Sequence, residues 1–221
     1  MLPNILIITT DQQRKDSLSL YGQPGYRTPH LDALAAEGVC FDRAYTPSPV
    51  CTPARVSMIT GQHATRHGAY QIGCPAVPAL EGPLLGTVAR DAGYATGLIG
   101  KTHFVSRSQE EQHIAGLPLD AAPPDEAFWE NFEGPYLGVD FLRHSGRHNI
   151  DGPPDAHYRR WLNQKGQNLD NLHRRKGDKE HNETLPAEGR WEIDPELTQN
   201  AWIAEESAAW IEAQQKDGRL W

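Results

Sequence analysis

Hydrophobic positions first appear as a solid block: Ile5, Leu6, Ile7 and Ile8, closed by Thr9 and Thr10, with no polar alternation. That pattern predicts a strand covered on both faces in a parallel sheet, ending on Asp11-Gln12. The period then changes. Thr28-Pro29 opens a helix with an apolar stripe at Leu31, Leu34 and Ala35 and a stop at Gly38, after which Val39 to Tyr45 reads as a strand or edge segment. A short helix follows, with Thr52 as expected N-cap, Pro53 at the first helical position and Gly61 as the left-handed stop, which puts Cys51 just outside its start. Helical spacing returns from about Leu84 through Val88 and Ala92. Gly93 then turns the chain into a strand, Tyr94 to Ile99, that ends on Gly100-Lys101-Thr102-His103.

From about Ser106 to Glu192 the pattern dissolves into polar, Pro/Gly-rich and His/Asn/Arg-rich sequence, read as an irregular insertion serving as a lid or an oligomer contact. Trp129, Tyr136, His144, His157, Arg159 and Arg160 fall in it and are expected mainly as solvated loop residues. Asp194-Pro195-Glu196 then starts a helix whose expected buried stripe is Leu197, Ala201, Ala204, Ala208 and Ile211. Gly218 stops it, and Arg219-Leu220-Trp221 reads as the approach to another strand. There is no internal repeat and no domain linker. Alternating strands and helices predict an α/β layered fold, in which ligands gather at the carboxyl ends of strands. Asp11, Gln12, Lys101 and His103 all fall at such ends.

Composition narrows the partners. The 221 residues carry a net charge of -8, with 38% hydrophobic and 23% charged residues, a globular balance that fits one domain and repels nucleic-acid backbones. An anionic substrate must therefore be captured by a local cluster of cations, a metal or a helix end. Three cysteines make no even disulfide framework; Cys40 is expected in the core and Cys74, before a proline, in a loop. Met1-Leu2-Pro3-Asn4 has no secretory pattern and no apolar run is long enough to cross a bilayer, so the expectation is a reduced, cytoplasmic protein.

The chemistry concentrates at Cys51. Free backbone N–H groups at a helix start favour anions, and Arg55 tilts back toward that same end. Asp11 and Gln12 offer a carboxylate and an amide oxygen that can converge on Ca²⁺ or Mg²⁺. Each signal has an ordinary counterpart: a packed thiol, a turn-forming Asp, a surface Lys, a hydrogen-bonded turn His. Arg14 and His63 are weighed as supporting neighbours of the site, with surface or structural roles the commoner use of such residues.

Pro49-Val50-Cys51-Thr52-Pro53-Ala54-Arg55-Val56-Ser57-Met58-Ile59-Thr60-Gly61 resembles the sulfatase signature, in which the Cys is converted to formylglycine. Pro3 to Gln12 is similar to that family's opening strand and first metal ligands, with Gln12 where many relatives carry a second Asp. Such a Gln occurs in iduronate-type, choline-sulfate-type and phosphonate-ester members. Gly93 to His103 resembles the second signature, with Thr102 where an aromatic is more common. The resemblance implies an alkaline-phosphatase-like three-layer sandwich with a mostly parallel mixed sheet. Residues 1–221 would form the N-terminal part of a single sulfatase catalytic domain, with the irregular insertion at about 106–192. It implies one divalent cation, Ca²⁺ or else Mg²⁺ or Mn²⁺, held by Asp11, Gln12 and the residue derived from Cys51. Formylglycine would hydrate to a geminal diol, one hydroxyl attacking sulfur while Arg55 and Lys101 hold diol and sulfate oxygens. His103 would then assist the second hydroxyl in expelling sulfate. The implied partners are a small-molecule or sugar sulfate ester, the formylglycine-generating enzyme and a second copy in a homo-oligomer, with neither nucleic acid nor membrane. The motifs that family members carry later in their chains are not found here. A phosphonate monoester or phosphodiester hydrolase and a catalytically incomplete fragment therefore stay open as alternatives.

Overall fold

The computed structural model describes residues 2–22, 25–72, 80–104, 126–145, 156–167 and 194–221. Its helices are α1 Pro29–Glu37, α2 Cys51–Thr60, α3 Ala64–His67, α4 Leu85–Asp91, α5 Glu126–Asn131, α6 Ala156–Gln164 and α7 Gln199–Lys216, and its strands β1 Gly97–Gly100 and β2 Phe141–His144. The strands run parallel, Gly97 opposite Phe141 through Gly100 opposite His144. Strand alternation sorts β2 onto two faces. Phe141 stacks on Trp210 of α7 at 6.1 Å between centroids, and Arg143 donates to Glu206 of α7 at 3.1 Å. Leu142, fully buried, packs on the other face among Val56, Ile59, Leu84, Phe104, Trp129 and Tyr136. Helix, sheet and helix thus lie in layers, the α/β architecture that the alternating pattern predicts. The close approach of α7 requires Gly97, where an added Cβ would stand 3.0 Å from the Trp210 ring.

Local signals located several elements well. Gly61 at φ 66 accepts the left-handed end of α2, its N–H bonding to the Ser57 carbonyl at 2.9 Å, and Gly93 at φ 89 turns the chain between α4 and β1. Helix α2, however, begins one residue early. Val50 is its N-cap, so Cys51 lies inside the first turn rather than beyond it, and Thr52 is buried with no hydrogen-bond partner for Oγ1. The first four N–H groups of a helix need no intrahelical acceptor, so Pro53 suits the third helical position as well as the first. At the other end of the chain, Asp194 caps a 3₁₀ turn, Pro195–Leu197, by accepting from the Glu196 N–H. Thr198 then caps α7 itself, accepting from Ala201 N–H at 3.2 Å.

Other expectations fail for want of a covering partner. The run 5–10 forms no strand. Ile8 is 76% exposed, and Ile5 N–H bonds to the Trp221 carbonyl at 2.6 Å. An apolar cavity of about 290 Å³, lined by Ile5, Ile7, Leu98, Trp210 and Trp221 among others, separates it from β1. Val39 to Tyr45 forms no strand and is exposed, which leaves Cys40 at the surface beside the Tyr21 hydroxyl at 3.4 Å instead of in the core. The α1 stripe is likewise uncovered, Leu31 and Leu34 facing solvent. Of the expected stripe, Leu197, Ala201 and Ile211 are half-buried but Ala204 and Ala208 are exposed; the most buried residues of α7 are Trp202 and Gln214, with Ile203, Glu206 and Trp210 half-buried beside them. Tryptophan removes far more apolar area from water than alanine, so the indoles choose the face. Arg219 to Trp221 form no strand; the Leu220 carbonyl accepts from Ala95 N–H at 2.8 Å.

The stretch read as irregular carries α5, β2 and α6. Trp129, Tyr136, His144 and His157 are buried rather than solvated, and Arg159 and Arg160 are half-buried, Arg160 lying 3.8 Å from Glu133. Cys74 lies outside the described residues. Among the described residues no helix is long and apolar enough to cross a membrane.

Candidate active site

The carboxyl end of β1 builds the site. Gly100 (φ 112) and His103 (φ 57) both leave the extended conformation, and between them Lys101 and Thr102 are turned to opposite surroundings. A left-handed His is uncommon and costs free energy, so the surrounding structure must hold it there. Thr102 points into the core, fully buried, its Oγ1 2.8 Å from His144 Nδ1. Lys101 keeps a side chain only 11% exposed and donates from Nζ to Asp11 Oδ2 at 2.6 Å. Its carbonyl accepts from Arg55 Nη1 at 2.8 Å.

Two contacts therefore join three stretches far apart in sequence: the end of the first apolar run, the Cys51 helix and the end of β1. Cys51 and Arg55 are four residues apart in α2 and so share a helix face, both leaning toward its N-terminus. Cys51 is a free, half-buried thiol among the helix-start N–H groups. Gln12, next to Asp11, also adopts a left-handed conformation at φ 57 and is exposed. His103 is half-buried two residues beyond Lys101. Among the described residues these contacts join one carboxylate, Asp11, with a guanidinium, Arg55, and an ammonium, Lys101. In a chain of net charge -8 this is a local positive focus, suited to an anion.

Arg14 and His63 take no part in these contacts. Arg14 is 80% exposed and paired with Asp16. His63 is the N-cap residue of α3, its carbonyl accepting from Arg66 and His67 N–H. Sequence analysis missed two histidine anchors behind the site. His67 Nδ1 accepts from Ala69 N–H at 3.1 Å, so its Nε2 carries the proton and donates to Ser57 Oγ at 2.9 Å, tying α3 to α2. Burial, then the neighbouring His63, lowers the His67 pKa and keeps the ring neutral. His157 Nδ1 accepts from His144 N–H at 3.0 Å. Burial first, then the positive charge of Arg143 and Arg160, pushes its pKa down to about 4. Neither had a sequence signal, because both depend on pairing across elements.

Asp11 and Gln12 present the oxygen chemistry that a hard cation prefers. Among the described residues no group of three or more His, Cys, Asp or Glu side chains comes together to hold a metal ion.

Comparison with known proteins adds the family context. A family model described as Sulfatase matches residues 3–169. The uncharacterized sulfatase YidJ of Escherichia coli (strain K12) is 41% identical over 102 residues, 46% of this chain and 20% of that protein. Human N-acetylgalactosamine-6-sulfatase is 34% identical over 119 residues, 48% of this chain and 23% of that protein. Rat steryl-sulfatase is 31% identical over 169 residues, 71% of this chain and 25% of that protein. The chain thus spans about a fifth to a quarter of the length of these curated relatives.

Proposed function

We propose that this chain, which belongs to the sulfatase family, carries the nucleophile-bearing and anion-holding part of an enzyme that hydrolyses a sulfate monoester. The supporting observation is the pair of bonds on Lys101, one to Asp11 at 2.6 Å and one from Arg55 at 2.8 Å, which connect one residue from each of three separate motifs.

Cys51 is the residue to be converted to formylglycine. Its half-buried position at a helix start leaves the side chain within reach of a maturing enzyme, and no disulfide occupies it. Formylglycine would supply an oxygen nucleophile with its own route for releasing sulfate. Arg55 and Lys101 bind sulfate oxygens: the bond from Arg55 Nη1 to the Lys101 carbonyl fixes the plane of its five-donor fork, and Asp11 holds the Lys101 ammonium. His103, turned by its left-handed backbone, accepts or returns a proton at the imidazole as ester bonds are made and broken. Asp11 and Gln12 fit a divalent cation in donor type, as two members of a shell of roughly six to eight oxygens. A cation held there would polarise the ester and acidify the nucleophile. A reducing, cytoplasmic setting belongs to the same proposal, Cys40 and Cys51 both being free thiols.

The test is made on the full-length protein co-expressed with a formylglycine-generating enzyme. Mass spectrometry of the Cys51 peptide is expected to show aldehyde in place of thiol, and purified protein to hydrolyse an aryl sulfate in a chelator-sensitive manner. An unmodified thiol in active enzyme sinks the proposal. So does faster turnover of a phosphodiester or phosphonate ester in the side-by-side assay.

A further inference from the structure

The segment that presents Lys101 and His103 is fastened to the core at the residue between them. Thr102 is fully buried, and its hydroxyl meets His144 Nδ1 at 2.8 Å, a bond between residues 42 apart in sequence. His144 closes β2 opposite Gly100, and Ser145 N–H extends the strand pairing to the Gly100 carbonyl at 3.3 Å. His144 is itself held: its main-chain N–H is bonded to His157 Nδ1 at 3.0 Å, and its ring centroid lies 5.6 Å from that of Trp129. Gly100 and His103, on either side, both have positive φ, so the main chain there takes a path that simple strand continuation does not dictate.

From this the geometry points to Thr102 and His144 as positioning residues: their buried hydrogen bond sets where the Lys101 ammonium and the His103 imidazole stand. Neither touches the substrate. The inference rests on the sulfatase reading for its effect on turnover, though not for its effect on His103. Its physical basis is the short lever between anchor and active groups. Lys101 and His103 are the immediate chain neighbours of Thr102, so loss of the bond lets both drift together. A misplacement of about 1 Å costs on the order of 100-fold in rate.

The experiment uses the full-length, matured protein with Thr102→Val, Thr102→Ser, His144→Phe and the double variant Thr102→Val/His144→Phe. Valine keeps the buried volume and removes the hydroxyl; serine keeps the hydroxyl. Thr102→Val is expected to lower kcat on an aryl sulfate about 10- to 100-fold while KM moves less than about threefold. Thr102→Ser should recover most of that loss, and the double variant should be no slower than the slower single one. A serine variant as slow as the valine one, or losses that multiply in the double variant, overturns the inference. A second readout needs no turnover: with ¹³C-labelled histidine, the His103 imidazole signal should shift in Thr102→Val and in His144→Phe and return in Thr102→Ser. An unmoved His103 signal overturns the inference whatever the activity. Wild-type protein that hydrolyses no sulfate ester, yet shows those His103 shifts, removes the functional proposal and leaves the positioning role standing.

Discussion

Acid should weaken this protein through one buried imidazole, His157. It is 1% exposed, and its Nδ1 takes the His144 N–H at 3.0 Å, a bond that requires an unprotonated nitrogen. Burial, reinforced by Arg143, Arg160 and His144, pushes its pKa from the ordinary 6.5 to about 4. Between those two values the unfolded chain binds a proton that the folded chain refuses, so unfolding becomes easier as pH falls. The contribution is fully present above about pH 6.5 and is lost by about pH 4. At about 1.4 kcal/mol per pH unit the interval is worth about 3 kcal/mol. The measurement is a set of denaturant titrations from pH 7.5 to 4, followed by tryptophan fluorescence, on wild type and His157→Leu. Leucine leaves the His144 N–H without its acceptor, so the variant should be less stable at pH 7 by about 1–3 kcal/mol. Its stability should then fall less steeply below pH 6.5, the two curves converging toward pH 4. Carboxylates titrate in the same window in both proteins, and taking the difference between the curves cancels them. Parallel curves across the whole range would refute the assignment of the acid sensitivity to His157.

Other outcomes follow from the same contacts. Asp11→Asn removes the negative charge facing the Lys101 ammonium; aryl sulfate turnover should fall by on the order of 100-fold or more, with thermal stability changed by less than about 1 kcal/mol because Asp11 is one-third exposed. Trp202→Ala empties a fully buried site between α6 and α7 and should cost about 3–5 kcal/mol in a denaturant titration. Gly97→Val would drive a side chain into the Trp210 ring, which already lies 3.0 Å from an added Cβ; about 1–3 kcal/mol or more of overpacking should appear as a lower midpoint.

What the sequence revealed and what it hid divide along a physical line. Gly61 and Gly93 were legible because a left-handed stop is a property of one residue and its neighbours, and α4 because its period needs only a short window; the strand expected at Tyr94 to Ile99 is found three residues on, at Gly97–Gly100. The grouping of Asp11 with Lys101 was expected because both close apolar runs, and the two side chains do meet at 2.6 Å although the first run pairs in no strand. A pattern, however, states what a segment can bury and never what will cover it. Ile5 to Ile8 read as a strand sealed on both faces, yet a cavity lies between this run and β1. In α7 the 3.6 period admits two stripes, one through alanines and one through Trp202 and Trp210. What decides is the cover each indole finds, Gly97 of β1 under Trp210 and the Tyr158, Trp161 and Leu162 side chains of α6 around Trp202.

The histidines of the polar stretch carry that lesson furthest. His144 and His157 looked like solvent-facing residues because imidazole is polar and their neighbours are loop-forming. They are core residues because a ring nitrogen hydrogen-bonded to a hydroxyl, as in His144, or to a main-chain N–H, as in His157, removes part of the penalty of burial. Those acceptor positions exist only after β2 has paired in register with β1, placing His144 beside Gly100 and thus under Thr102. The local turn at the end of β1 consequently depends on a strand more than forty residues away, and the Thr102 and His144 variants measure how far placement of the site depends on it.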